Sequence, residues 1–100
     1  NLGLILKKEL EILSHELKEH VSIQINCLGL VAGVIIKDKE GEPASYACSV
    51  ISEKCFQSGL LVVHTGRESI KIAPPLTITR DALMEGINTF CNIVKKVVLN

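Results

Sequence analysis

Three kinds of side chain in this sequence could do chemistry. They are Lys71, a single cation inside the apolar run S-I-K-I-A, the four cysteines Cys27, Cys48, Cys55 and Cys91, and the three histidines His15, His20 and His64. A lysine on a strand either sits in water or faces a partner that brings an anion. A cysteine becomes a nucleophile only beside a base or in surroundings that lower its pKa, and neither stands near Cys48 or Cys55 in the sequence. None of the histidines has a metal-ligand spacing to a Cys, Asp or Glu, and no C-x-x-C pair occurs, so no metal site is expected. G-x-S-x-G, Walker and G-x-G-x-x-G patterns are absent too. The nearest approach, G-L-V-A-G at Gly29 to Gly33, reads more simply as a strand with two close-packing positions. The acids cluster in a turn and on solvated helix faces, which gives no carboxylate pair. By themselves these residues build no active site.

The stretch from Gly59 to Thr79, G-L-L-V-V-H-T-G-R-E-S-I-K-I-A-P-P-L-T-I-T, is the richest in local information. Strand alternation puts Ile70 and Ile72 on one face and Lys71, with Ser69 and Ala73, on the other. Pro74 and Pro75 then fix φ twice and hold the end of that strand extended. The geometry says where Lys71 points; it does not say what the lysine holds.

The elements that must position this strand follow from periodicity. Leu6, Leu10, Leu13 and Leu17 form one helical stripe, with Lys7, Lys8, Glu11, Glu16 and Lys18 mostly elsewhere on the wheel. Val21, Ile23, Ile25 and Cys27 alternate with polar residues, which predicts a half-buried strand. From Leu28 to Ile36 both alternating faces are apolar or small, so a second strand buried on both sides is expected, with something packed closely against Gly29 and Gly33. Lys37 to Pro43 is a polar turn. Ala44 to Ser58 reads as a helix whose face is Ala47, Val50, Ile51, Cys55 and Phe56, stopped by Gly59. Two strands, Leu60 to His64 and Ser69 to Ala73, are joined by T-G-R-E, with Gly66 free to take positive φ. Thr79 caps a long last helix with Asp81 in its first turn and a stripe of Leu83, Ile87, Phe90, Val94 and Val97. The order is α-β-β-α-β-β-α, an α+β fold with a three- to four-stranded, mostly antiparallel sheet and helices packed on it.

With 100 residues the chain is expected to be one domain, residues 1–100, with neither an internal repeat nor a linker. Hydrophobic residues make up 47% and charged residues 22%, with 11 bases against 11 acids, which argues against disorder and against a nucleic-acid partner. No apolar run approaches the roughly 20 residues that span a bilayer, and the first segment has no secretory pattern, so no membrane partner is expected. Cysteines embedded in apolar patterns predict reduced core thiols and a cytoplasmic setting.

The order of motifs resembles the C-terminal small domain of class III pyridoxal-phosphate-dependent aminotransferases, the family of ornithine, acetylornithine and 4-aminobutyrate aminotransferases. Gly3 with Leu6, Leu10 and Leu13 is similar to the family's helix leading into that domain. L-G-L-V-A-G-V-I resembles its G-x-G-L-M-x-G-I-E strand, and G-L-L-V-V-H-T-G its R-G-L-L-V strand. The most specific piece, S-I-K-I-A-P-P-L-T-I-T, resembles I-R-I-x-P-P-L-T-I followed by the last helix. Two departures stand out: Lys71 where many members have arginine, and N-C-L-G at Asn26 to Gly29 where many read D-V-R-G.

The resemblance implies an α+β domain of a larger enzyme that moves an amino group from an amine or amino acid to an oxo acid. It implies pyridoxal 5'-phosphate as cofactor, held mainly by a large domain that precedes this one and carries the Schiff-base lysine, so that the fragment alone would be inactive. It further implies packing against that large domain and a homodimeric full-length parent. Lys71 falls at the substrate-side position, where the family's arginine binds a carboxylate. An ammonium is a point charge without the planar fork of a guanidinium, so the substituent bears on which substrate is held. Alternatives are a racemase, aminomutase or phospho-amine lyase of the same superfamily, or a stand-alone ligand-sensing α+β module without catalysis.

Overall fold

The leucine stripe at the start of the chain closes a helix onto one face of a sheet. In the computed structural model, which describes residues 1–60 and 62–100, helix α1 runs over Leu2–Glu16. The Asn1 side chain accepts a hydrogen bond from the Gly3 amide at 2.9 Å, satisfying one orphan donor of the first turn. Leu6, Leu10, Leu13 and Leu17 are all buried, as their spacing requires.

Strands β1 (Ser22–Leu28) and β2 (Val31–Lys37) form an antiparallel hairpin, and helix α2 (Ser45–Gln57) carries the chain over to the pair β3 (Val63–Thr65) and β4 (Ser69–Ile72). Helix α3 (Arg80–Leu99) ends the fold. The sheet order is β1-β2-β4-β3, antiparallel throughout, so β4 inserts between β2 and β3. The element order α-β-β-α-β-β-α and the α+β class are those expected from periodicity. Ile23, Ala32, Val34, Ile36 and Ile70 from the sheet join the α1 leucines, Cys48, Ile51 and Cys55 from α2, and Leu83, Ile87, Phe90 and Val94 from α3 in one core.

Helix ends follow local chemistry. Thr79 Oγ1 accepts the Ala82 amide at 3.1 Å and Asp81 lies in the first turn of α3. Gly59, at φ 80°, closes α2: its amide bonds Phe56 O and the Leu60 amide bonds Cys55 O, the paired bonds of a Schellman cap. Leu60 is thereby used in the cap, and β3 begins only at Val63; of the expected Leu60–His64 strand, Leu61 lies outside the described residues.

Three expectations are corrected. The segment from Leu28 to Ile36 is not one strand buried on both sides. It turns at Gly29, φ 58°, and β2 then buries Ala32, Val34 and Ile36 while Val31 stays exposed and Gly33 and Ile35 only half-buried. The helices share one face of the sheet, leaving the other bare. Close packing occurs at Gly29, where a Cβ on Gly3 of α1 would lie 2.6 Å from the Gly29 carbonyl oxygen. At Gly33, by contrast, the described residues bring nothing nearer to a Cβ than Asn26 O at 3.9 Å. Phe56 is 72% exposed instead of buried. The buried stripe of α2 is Cys48, Ile51 and Cys55, and Phe56 lies about 100° further round the helix.

Candidate substrate-facing sheet surface

β4 has neighbours on both sides, which holds its backbone firmly. Ile70 points into the core and is fully buried, and Ile72 is half-buried beside it. Alternation therefore turns Lys71 to the bare face, where it is exposed, as its strand position predicts. Lys71 pairs with Gly33 of β2 on one side and Val63 of β3 on the other. One row across the open face thus reads Asn26, Gly33, Lys71, Val63, since Asn26 of β1 is in turn opposite Gly33.

The outward strand positions of this face carry Lys37 and Lys71 and no acid. The ion pair found among the described residues, Lys95 to Glu16 at 3.1 Å, joins α3 to α1 and involves neither lysine of this face. Among the described residues Lys71 has no charged partner. A cation standing free on a surface of apolar and small polar residues suits an incoming anion and lacks an internal counter-charge to displace.

The other chemistry-bearing residues go elsewhere. Cys48 and Cys55 are fully buried, and burial pushes both thiols up to about 11; Glu68 adds to the rise at Cys48. Cys91 is also pushed up to about 11, chiefly by burial, with Lys95 working the other way. Cys27 rises through burial, against a lowering by Lys7, and its thiol lies 3.4 Å from Gly29 O. These are protonated thiols, unsuited to nucleophilic attack at neutral pH. His15 and His20 are exposed, while His64 sits on the core side of β3 opposite Ile70, its Nε2 without a hydrogen-bond partner among the described residues. Among the described residues no group of His, Cys, Asp and Glu could hold a metal ion.

No family model matches the chain. Curated relatives do. It is 33% identical over 75 residues to an omega-aminotransferase of Caulobacter vibrioides, covering 75% of this chain and 17% of that protein. It is 37% identical over 70 residues to a diaminobutyrate--2-oxoglutarate transaminase of Streptomyces avermitilis, covering 68% and 15%. Against the mitochondrial acetylornithine aminotransferase of Candida glabrata it is 30% identical over 95 residues, 95% of this chain and 20% of that one. Among solved structures, the acetylornithine aminotransferase of Elizabethkingia anophelis superposes with TM-score 0.71 at 27% identity, over 98% of this chain and 22% of that one. A phospholyase from Arthrobacter shares the fold with TM-score 0.81 at 23% identity, over 93% and 22%.

The α+β fold with a one-sided sheet, and the relatives that align along it, define the chain as an aminotransferase homologue. It belongs to the class III aminotransferase family, whose members depend on pyridoxal phosphate, and it corresponds to a small part of each. The chain spans a fifth or less of the length of these curated relatives.

The described residues do not fit the cofactor on their own. The N-terminus of α3, where a phosphate would be welcomed, is already closed by the Thr79 hydroxyl and the Asp81 carboxylate. The start of α1 is likewise closed by the Asn1 side chain. Lys37 and Lys71 stand on an open surface without a shaped pocket around them.

Sequence reasoning placed Lys71 on the correct side of its strand but missed what stands beside it. Asn26 passed as a polar residue of an alternating strand. Gly33 did signal a low spot, yet which strands flank it depends on pairings between segments nearly forty residues apart.

Proposed function

We propose that this chain is the C-terminal small domain of a pyridoxal-phosphate-dependent class III aminotransferase, which transfers an amino group from an amine or amino acid to an oxo acid. The observation that supports it most is the 30 to 37% identity to three aminotransferases along 68 to 95% of the chain. In this reading the preceding large domain holds the cofactor and the lysine that reacts with it, and the 100-residue chain alone is inactive. The small domain presents its bare sheet face to the large domain and to the substrate. The parent is a homodimeric cytoplasmic enzyme, a setting compatible with four free cysteines.

Lys71 binds a substrate carboxylate in this scheme. Its support is twofold: the I-K-I-A-P-P-L-T-I motif, and an exposed ammonium with no acid on its face of the sheet. Lys71→Ala in the full-length enzyme is expected to raise KM for the oxo acid by about ten-fold or more, the loss typical of a hydrogen bond to a charged group. Cofactor absorbance stays as it was, because the lysine holds substrate and not the cofactor. Unchanged KM values for both amino donor and oxo acid would sink the carboxylate role. The reaction class is tested separately with an isotopically labelled amino donor. Label recovered in the amino acid made from the oxo acid supports transfer, whereas racemised donor or released phosphate and ammonia would mark a racemase or a phospho-amine lyase.

A further inference from the structure

The helix side of the fold contains an apolar pocket that the sheet face carrying Lys71 does not share. It arises where α3 carries small residues. Ala82 and Gly86 stand four apart in that helix, so they lie on one face and leave it low. The segment between β4 and α3 borders this low strip with Pro74 and Ile78, and the Ile78 amide bonds Pro75 O at 3.0 Å, which fixes its course. Leu60, held by the cap that ends α2, closes another side. The space left between them is about 80 Å³. Leu6, Leu10 and Phe90 are buried and form its floor, while Leu60, Pro74 and Gly86 are half-buried at its mouth. Ser58, Glu85 and Thr89 lie on the surface just outside that mouth, so a solute can reach it.

The walls decide what can enter. Every side chain that lines the pocket is a hydrocarbon, and the wall positions of α1 and α3 spend their backbone groups inside the helices. The buried polar atoms without partners among the described residues, on Ser52, His64 and Glu68, border the pocket nowhere. A water molecule needs several polar partners in such a space, and the described residues supply none. Size excludes a macromolecule, because a stable protein interface buries on the order of 1,000 Å² or more. An engineered apolar cavity of roughly 150 Å³ stays dry and takes benzene or xenon. A space of about 80 Å³ that is open at one end suits a smaller body, or a ring whose far edge stays at the mouth.

We infer that this pocket is a binding site for a small uncharged hydrocarbon, of the class of short alkanes and small saturated rings. It lies on the side of the sheet away from Lys71 and stands independently of the substrate role proposed for that residue. An occupant touches α1, α3 and the segment from Ile72 to Ile78 together, and so ties the end of β4 to two helices. Because it binds the folded state alone, it stabilises that state by mass action.

The test titrates the full-length enzyme with cyclopentane and with tetrahydrofuran, a ring of the same shape that carries one ether oxygen, each followed by saturation-transfer difference NMR. Crystals of the same enzyme under xenon pressure locate the site. Cyclopentane should bind saturably, and xenon should lie between Leu10, Gly86 and Phe90. Tetrahydrofuran should bind about ten-fold more weakly, since its oxygen gives up water for a wall without donors. Gly86→Ala narrows the pocket and Ala82→Leu places a larger side chain at its mouth, so each should weaken cyclopentane several-fold. Thr89→Ala, outside the mouth, should leave it within about two-fold. The site is overturned if cyclopentane shows no saturable binding, if tetrahydrofuran binds equally well, or if Gly86→Ala and Ala82→Leu both leave cyclopentane within about two-fold. A full-length crystal in which the enzyme's own side chains already fill the pocket overturns it as well.

Discussion

Two helical glycines should respond in opposite directions to the same substitution. In an unconstrained helix interior, Gly→Ala gains about 1 kcal/mol through reduced backbone entropy of the unfolded chain and better helix propensity. Gly86 of α3 is close to that case. Its new Cβ would meet only Leu60 Cδ1 at 3.4 Å, the far end of a flexible side chain, and Gly86 borders an apolar cavity of about 80 Å³ that a methyl group would help to fill. Gly86→Ala is therefore expected to stabilise by about 1 kcal/mol. At Gly3 of α1 the Cβ would lie 2.6 Å from Gly29 O, 2.8 Å from Gly29 C and 3.1 Å from Gly29 Cα. All three are backbone atoms of the turn between β1 and β2, so relief requires moving the helix or the hairpin. Overpacking of this kind costs about 1 to 3 kcal/mol, and the propensity gain is smaller at a first-turn position, which leaves a net loss of about 1 to 2 kcal/mol. With about 4 to 8 °C per kcal/mol for a domain of this size, the two variants should separate by roughly 10 °C or more in a thermal melt followed by circular dichroism. A Gly3→Ala protein as stable as the parent would refute the backbone-to-backbone packing of α1 on the hairpin turn.

Other expectations are simpler. Leu10→Ala, which empties a fully buried site facing both sheet and α3, should cost about 2 to 5 kcal/mol in urea unfolding. Thr79→Ala removes the cap on α3 and should cost about 1 kcal/mol, with Thr79→Ser restoring most of it. The buried thiols make stability depend on alkaline pH. Cys48, Cys55 and Cys91 ionise near the ordinary thiol value of 9.0 when unfolded and, pushed up by burial, near about 11 when folded, so the folded state binds more protons between these values. Their contribution is fully present below pH 9.0 and is lost as pH rises toward about 11, so the urea midpoint should fall across that window and flatten when the three are replaced by alanine. At pH 8 the same burial should leave native Cys48 and Cys55 unmodified by iodoacetamide while the urea-unfolded chain reacts fully.

The parts of this fold that sequence made legible are those set by near neighbours. Leucines three and four apart need only the helix's own geometry to line up, and Thr79 and Gly59 cap helices through bonds to residues within five positions. The orientation of Lys71 is local too, because alternation along Ser69–Ile72 decides it once Ile70 is known to face the core. Phe56 was misread because large apolar residues are ordinarily inside. Here the stripe of α2 was filled by two cysteines and Ile51, which left Phe56 turned to solvent. β2 was misread for a related reason: an apolar run can mean burial on both faces or a bare apolar face, and only the placement of all three helices on one side distinguishes the two.

The surroundings of Lys71 depend on a different order of information. Lys71 meets Gly33 only because β4 inserts beside β2 after α2 and β3 have intervened, and Gly33 meets Asn26 only through the register of the first hairpin. A shift of one residue in either ladder would direct Asn26 or Lys71 into the core, where an unpaired amide or ammonium is costly. The burial of Ile23, Val34, Ile36 and Ile70 opposes that shift. The apolar side of the sheet thus maintains the alignment of the polar row on the other side. Substitutions that loosen this core should disturb the row without touching it: Val34→Ala, beneath Gly33 and opposite both Ile25 and Ile70, is expected to raise the oxo-acid KM of the full-length enzyme along with its expected loss of stability. A Val34→Ala enzyme with lowered melting temperature and unaltered KM would show that the row keeps its alignment by some other means.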